Sequence, residues 1–464
     1  MTVAYILCLA YLTIRNHHGF GTFGFDIGIF DQGVWLLSRF ATPFVTVRGL
    51  HLFGDHTSFL LLGLVPLYWV FPSPAVLLGA QSVALGAGAI PAFLIARHKL
   101  RSEWCAFACA LAYLAHPAVA WTNFENFHPD SFEIPLVLCA FYFVYTRSWW
   151  WFAASVGALL LVKEDVALLT FALGVYVAWL HRRDVGLATA VLSLGWLLVA
   201  LLVLIPAFND AGGLYGSRLT GHFGGLGGFT ETLVRRPWEI AALALGPERR
   251  WYLWQLLASF ALLSLLAPAV LLVAAGPLLV NLLSSFPYQH QLRYHYSTLI
   301  VPVLVVSAIV GIARFRSTRV RGVLAVLMAA SAVTAAYLWG PIGRHDVPVA
   351  DPGTPHAVAA REAMSMVPAE AAVSASHRYV PHLTHRRQIY EFPNPWRAAN
   401  WGDWTSEGAR LPFADDIDYL LITTADRNDP HGGPIIRRLE EKEFVRMFAS
   451  EGVELLRRSR EPRR

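Results

Sequence analysis

Ionisable side chains with chemical potential fall in four short segments that lie far apart along the chain. The first, FDIGIFDQ, carries Asp26 and Asp31. A carboxylate held beside a membrane can take a proton from a hydroxyl nucleophile. Asp26 equally suits the N-cap of the helix that follows, and Asp31 could orient a partner or acceptor. Five residues turn a regular helix by roughly 500°, so the two carboxylates would not share one face of it. The second segment, NFENFHPDSFE, holds Glu125, His128, Asp130 and Glu133. Pro129 limits helix there. Asp130 with Ser131 reads well as a capped helix start, whereas Glu125 and His128 suit substrate binding.

The third segment is Lys163-Glu164-Asp165, wedged between two apolar runs. Three adjacent charges in that position must pair or reach water. They read either as a substrate site, with Lys163 the counter-ion of a carboxylate, or as a polar loop between short helices. The fourth, YQHQLRYHYS, contains His290, Arg293, Tyr294 and His295 just before a crossing. Arg and His beside Tyr at an interface suit a lipid phosphate. An aromatic belt with a snorkelling arginine accounts for the tyrosines but not for both histidines. Arg218 lies in the glycine-rich stretch GGLYGSRLTGHFGGLGGF. No strand precedes that stretch and no βαβ unit follows, so it reads as a mobile loop rather than a phosphate fingerprint, and Arg218 is a weaker phosphate candidate.

The elements that must position these groups are apolar helices. The 464 residues are 55% hydrophobic and 15% charged, and the mean hydropathy of +0.46 belongs to an integral membrane protein. A crossing takes roughly 17–25 residues of helix. The runs give eleven: about 1–14, 75–96, 104–121, 131–146, 149–163, 165–181, 185–207, 251–267, 268–283, 297–313 and 321–339. Loops of two kinds alternate between them. Basic loops contain Arg97, Lys99 and Arg101, then Arg147, Arg182 and Arg183, and Arg314 to Arg321, while acidic ones carry nearly all the carboxylates, Asp210 included. Placing the basic loops inside satisfies the positive-inside rule. It puts the N-terminus inside and residues 340–464 outside. The run 1–14 is short and lacks a basic n-region, which leaves the true start open; no small-residue cleavage site follows it.

Two divisions of the chain are expected. Residues 1–343 form the transmembrane part, with outer loops 15–74 and 208–250. Within the first loop, Phe25–Phe40 has Phe30, Val34 and Leu37 at helical spacing, as in an amphipathic helix lying on the membrane. His56–Phe71 reads as a second interfacial helix, with Tyr68 and Trp69 at headgroup level. Residues 344–464 balance 17 basic against 18 acidic side chains and read as a small extracytoplasmic α/β domain. Strands are expected at 371–376, 388–392 and 419–424, and helices at 354–366 and 434–449. Its stretch SHRYVPHLTHRR offers His377, His382 and His385 at a loose spacing that disfavours zinc. The four cysteines, Cys8, Cys105, Cys109 and Cys139, all fall in apolar runs and read as small packing residues. The net charge of +5 comes from topology signals and implies no nucleic-acid partner.

FDxGIFDQ, GDH followed by PLYWVFPSP, FxxFHPD, VKEDVAL and PHLTHRRQIYEFP together resemble a family of bacterial polytopic membrane proteins, over about residues 20–425. The layout is similar, more distantly, to the GT-C glycosyltransferase superfamily. The resemblance implies a GT-C-like bundle of about eleven transmembrane helices with an outer soluble domain in the plasma membrane. It implies a sugar transferase that draws on a polyprenyl-phosphate donor at the outer face and inverts the sugar carbon. Asp26, with Asp31, then occupies the place of the catalytic carboxylate, while Arg293 and His295 stabilise the departing phosphate. The loop carries no DD, DE or DxD pair, so no metal ligands are assigned and a divalent metal stays open as cofactor. The competing readings are a transporter or lipid flippase and a non-catalytic scaffold. The transporter expects ionisable groups deep in the bundle, where the sequence offers only Gln81, Gln255 and Asn281. The transferase expects Asp26, Glu125, His128, Glu164 and Arg293 to line one cleft.

Overall fold

The computed structural model describes residues 1–209, 216–342, 349–402 and 404–459; Asp210 and the first glycines of the glycine-rich loop lie outside the described residues. The chain divides into two compact units. One comprises Met1–Ala10, His56–Leu60 and Ala80–Pro348; the other comprises Tyr11–Asp55, Leu61–Gly79 and Val349–Arg464.

The first unit is helical. Among the described residues, four helices are long and apolar enough to cross a membrane: Pro74–Leu100, Arg183–Phe208, His295–Ala313 and Thr318–Trp339. Glu103–Leu114 and Pro117–Glu125 add a fifth span if the pair, bent by 44°, is counted as one. The bend falls where His116 precedes Pro117, since the residue before a proline is driven out of the helical region. Apolar helices such as Trp149–Leu160 and Val166–Leu180 are shorter. Twelve residues rise only about 18 Å against a hydrocarbon core of about 30 Å, which is why charged chain breaks can sit at such helix ends. The run 251–283 is broken more thoroughly than two crossings require. Its first helix ends at Ala258, and the chain turns through Ala261 and Leu262, both at positive φ, before restarting at Pro268.

Burial separates core from lipid-facing helices. In His295–Ala313, 83% of the apolar window is buried, against 17% in Arg183–Phe208. The latter packs against Val166–Leu180 through small residues. A Cβ on Gly186 would lie 2.1 Å from the Ala178 backbone nitrogen, and one on Gly174 would lie 2.6 Å from that of Ala190. Backbone proximity of this kind is how apolar helices gain packing energy without a hydrophobic driving force.

The second unit joins the first outer loop and the interfacial segment to the C-terminal part. Two short strands, β1 (Phe44–Val45) and β2 (Leu50–His51), pair antiparallel. Five more make one sheet: β3 (Val373–Ala375), β4 (Ile389–Glu391), β5 (Tyr419–Thr423), β6 (Phe444–Ser450) and β7 (Val453–Arg458), in the order β4-β3-β5-β7-β6. β3 runs parallel to β4 and β5, whereas β7 pairs antiparallel with β5 and β6. The helix Pro355–Ser365 starts at Thr354, whose hydroxyl accepts from the Ala357 N–H.

Three expectations need correction here. The final helix covers Gly432–Lys442 only, and 444–450 is strand β6. Its charged face reads as a helix in isolation, but the turn at Glu451 and Gly452, both at positive φ, folds the segment onto β7. The helix in the first loop covers Ile29–Ser38 and buries Asp31, Gln32, Val34 and Leu36 within its own unit. Polar ties help to hold it there, because the Gln32 amide donates to the Thr46 hydroxyl at 2.9 Å and to the Arg386 carbonyl at 3.2 Å. Tyr68 is 2% exposed and turns inward, while Trp69 is 58% exposed, as an interfacial residue would be.

Candidate functional site

The first-loop carboxylates have different surroundings. Asp26 is half-buried in a single π turn, Gly24–Gly28, that precedes the regular helix. The turn lies hard against β4, since a Cβ on Gly24 would fall 2.6 Å from Glu391 Oε2. Glu391 Oε2 is sealed from solvent and has no hydrogen-bond partner among the described residues. Burial, then the charges of Asp26 and Asp426, push the Glu391 carboxyl up to about 7. Asp26 therefore has a second carboxyl group nearby that is poised to hold a proton near neutrality.

Asp31 is fully buried and satisfied. The Tyr68 hydroxyl donates to its Oδ1 at 2.5 Å, the Thr384 hydroxyl donates to Oδ2, and His385 Nε2 lies 3.1 Å from Oδ2. The His385 ring is stacked on Trp35, with centroids 5.7 Å apart. Thr46 completes the frame by accepting from the Ile389 N–H at 2.9 Å and donating to the Ile389 carbonyl at 2.8 Å, so its hydroxyl closes the free edge of β4. Glu391, His385, Thr384 and Tyr68 were not assigned to the site from sequence. The signal available was their position inside the PLYWVFPSP and PHLTHRRQIYEFP stretches.

In the helical unit, the second and third segments meet at chain breaks. Lys163 Nζ lies 3.2 Å from Asp130 Oδ1 and 3.8 Å from Asp165 Oδ2. His295 Nε2 is 4.0 Å from the same Asp130 oxygen, and its ring stacks on His128 with centroids 3.7 Å apart. Glu164 pairs with His56 Nδ1 at 2.7 Å and accepts from the Thr57 N–H at 3.1 Å. Glu133 accepts from the Thr298 hydroxyl at 2.6 Å. Glu125, His128, Asp130, Glu133, Lys163 and Glu164 are all buried. Burial alone would raise Asp130, but Lys163, His295 and His128 outweigh it and hold the carboxyl below its usual range. Burial would likewise raise Glu164, and His56 and Lys163 bring it down to about 2. Asp130, Glu133, Asp165 and Thr298 border a cavity of about 30 Å³, room for roughly one water.

Uncharged polar residues buried in the bundle hold these segments in place. The Gln81 amide donates to the Asn123 and Asn126 carbonyls at 3.2 and 2.7 Å and accepts from the His128 N–H at 2.9 Å. Asn281 donates to the Tyr296 carbonyl at 2.8 Å. These are scaffold contacts. His56 and Glu133 join the network without having been assigned to the site, although His56 belongs to the GDH motif.

The fourth segment divides. His295 turns to the ionic network, while His290 and Arg293 line a separate cavity. Tyr294 packs edge-on against Tyr288 at 4.5 Å, and Arg218 lies over the Phe286 ring at 4.2 Å. Metal-ligand spacing occurs where the sequence assigned none: donor atoms of Glu125, His128 and His295 all lie within 4.8 Å of one another. Two imidazoles and a carboxylate suit zinc or a similar borderline ion with open positions. His377, His382 and His385 do not converge in this way. His382 stacks on His17 at 4.2 Å, and His385 serves Asp31.

With this geometry in view, the comparisons place the chain. Its fold is similar to that of solved structures of the membrane protein ArnT. Residues 17–444 match the family described as "Predicted membrane protein (DUF2079)", and the chain belongs to that family. No curated protein matches it in sequence. Among solved structures it is similar to ArnT from Cupriavidus metallidurans bound to undecaprenyl phosphate, at 14% identity and a TM-score of 0.53, over 98% of this chain and 97% of that one. The apo state of the same ArnT gives 13% identity and a TM-score of 0.55, over 98% and 96% of the two chains.

Proposed function

We propose that this protein is an outer-face glycosyltransferase that moves a sugar from a polyprenyl-phosphate donor to an acceptor hydroxyl. The observation that carries the reading is the end-to-end likeness to a protein whose structure was determined with undecaprenyl phosphate. Fold alone does not specify a reaction, so the chemistry must rest on the side chains. Eleven crossings follow if the shorter apolar helices also span, with the N-terminus inside and the C-terminal residues outside by the positive-inside rule.

In the reaction, the acceptor oxygen bonds to the sugar carbon as the bond from that carbon to the lipid phosphate breaks, with inversion. The acceptor proton passes to a carboxylate, and the phosphate leaves as the lipid anion. Asp26 is the base. Glu391 provides a place for the proton, because its buried carboxyl binds one readily. Asp31 acts as a positioning residue through Tyr68, Thr384 and His385. Positive charge for the phosphate comes from Lys163, with Glu125, His128, Glu164 and Asp165 setting the local charge balance and His295 available as a neutral hydrogen-bonding imidazole. A divalent ion on Glu125, His128 and His295 would add Lewis-acid character.

The transporter reading finds less support. The buried charges sit at helix ends and chain breaks, and the cavity that Asp165 borders has room for about one water. A scaffold would not need Asp130, Glu133 and Asp165 around a common cavity. The test is transfer from lipid-linked sugar by purified protein: Asp26→Ala is expected to abolish it. Unchanged transfer by both Asp26→Ala and Asp31→Ala rules out this role for the loop.

A further inference from the structure

The cavity lined by Arg293 is separate from the ionic network and differs from it in chemistry. It holds about 490 Å³ and takes its walls from distant parts of the helical unit. Helix Pro247–Ala258 contributes Glu248, Trp251 and Gln255, at spacings of three and four residues that put them on one face. Trp121, Trp339 and Arg293 also line it. The corner is braced: the Trp121 indole N–H donates to the Trp339 carbonyl at 2.7 Å, and the Trp251 and Trp339 rings meet edge-on at 5.8 Å. The Arg293 guanidinium lies 5.3 Å over the Trp121 ring. Buried His290 places Nε2 3.4 Å from Glu248 Oε2, and its Nδ1 has no hydrogen-bond partner among the described residues.

We propose that this cavity binds a sugar ring. A pyranose has an apolar C–H face, which an indole covers, and a rim of hydroxyls, which need donors and acceptors. Three tryptophans with a carboxylate, an amide, an imidazole and a guanidinium supply both. Belt tryptophans at an interface face lipid, whereas these three border a common volume with polar groups. A phosphate fits less well, because the Glu248 carboxylate offsets the single guanidinium. A neutral polyhydroxylated ring has no such conflict. That the ring belongs to the donor or to a glycan acceptor rests on the transferase reading; the cavity's affinity for a sugar does not.

The experiment titrates the purified full-length protein in lipid nanodiscs with free glucose, galactose, mannose, xylose and N-acetylglucosamine, and separately with inorganic phosphate. Binding is read by saturation-transfer NMR. At least one sugar is expected to bind saturably, with its C–H protons showing the strongest transfer. Trp251→Ala and Glu248→Gln are each expected to weaken binding by about tenfold, or about 1.4 kcal/mol. Trp254→Ala, whose exposed ring lies outside the cavity lining, should bind as the wild type does. Glu248 is 80% exposed, so Glu248→Gln folds even if removal of an indole does not. Absence of saturable binding by every sugar, affinity unaltered in both variants, or displacement of the sugar by phosphate overturns the proposal. Where lipid-linked sugar is transferred, Trp251→Ala raises KM for the donor if the ring is the donor's and KM for the acceptor if it is the acceptor's. Variant-sensitive sugar binding by a protein that transfers nothing supports the cavity and removes the transferase reading.

Discussion

Replacing Glu391 by glutamine should change how stability depends on pH, with a sign and window set by the structure. The Glu391 carboxyl is raised from 4.5 to about 7 by burial and by Asp26 and Asp426. In the unfolded chain it titrates near the lower value. The folded state therefore binds the proton more tightly, and its contribution to stability is fully present below pH 4.5. That contribution is lost as pH rises to about 7 and stays lost above it. At 1.36 kcal/mol per unit, the loss across this window is roughly 3 kcal/mol, an upper figure because part of the side chain remains accessible. Glutamine carries the protonated shape at every pH, so Glu391→Gln should match the wild type near pH 4.5 and exceed it in stability at pH 8. The assay is unfolding of both proteins in nanodiscs at half-unit steps from pH 4.5 to 8.5, expressed as the difference between them. A difference that stays flat over that range refutes the reasoning, as would a variant that is less stable at pH 8. Asp26→Asn removes the larger of the two like-charge effects on Glu391 and should lower the apparent midpoint of the wild-type transition.

Other outcomes follow from the same physics. Lys163→Met leaves Asp130 buried beside an apolar side chain and should cost about 3–5 kcal/mol. Lys163→Met with Asp130→Asn should recover much of that loss in a double-mutant unfolding cycle, and simple additivity would contradict the pairing. Asp26→Asn should abolish transfer while the melting temperature stays near that of the wild type. Asp31→Asn should lower both, because one of the Tyr68 and Thr384 hydroxyls then faces an amide N–H instead of an acceptor and His385 loses the charge beside it. Gly186→Leu should separate Arg183–Phe208 from Val166–Leu180 and reduce the yield of folded protein, whereas Gly195→Leu, which meets nothing within 4 Å, should be tolerated.

How far the sequence reveals this molecule depends on the kind of interaction. The alternation of basic and acidic loops between apolar runs identifies a multi-pass membrane protein, because the cost of burying charge in hydrocarbon is paid locally. The FENFHPD and VKED segments read as chemically loaded for the same reason: charges beside apolar helices need partners. Their pairings could not be read, since Lys163 and Asp130 are 33 residues apart and meet through helix packing. The last helix misleads because a charged helical pattern was outweighed by strand pairing with β7. Asp26 and Asp31 look equivalent in FDIGIFDQ, yet one is half-buried near Glu391 and the other is enclosed by two hydroxyl donors with His385 beside it.

Local chemistry by itself determined the class of environment, the identity of the reactive side chains and the motifs of the family, since hydropathy and residue type act over a few residues. Tertiary structure decided which histidines face carboxylates, which aspartate is left near a proton-holding glutamate, and that three tryptophans surround a polar cavity. Those facts depend on distances between residues tens to hundreds of positions apart, and packing and hydrogen-bond energies fall away within a few ångströms while charge interactions weaken with separation.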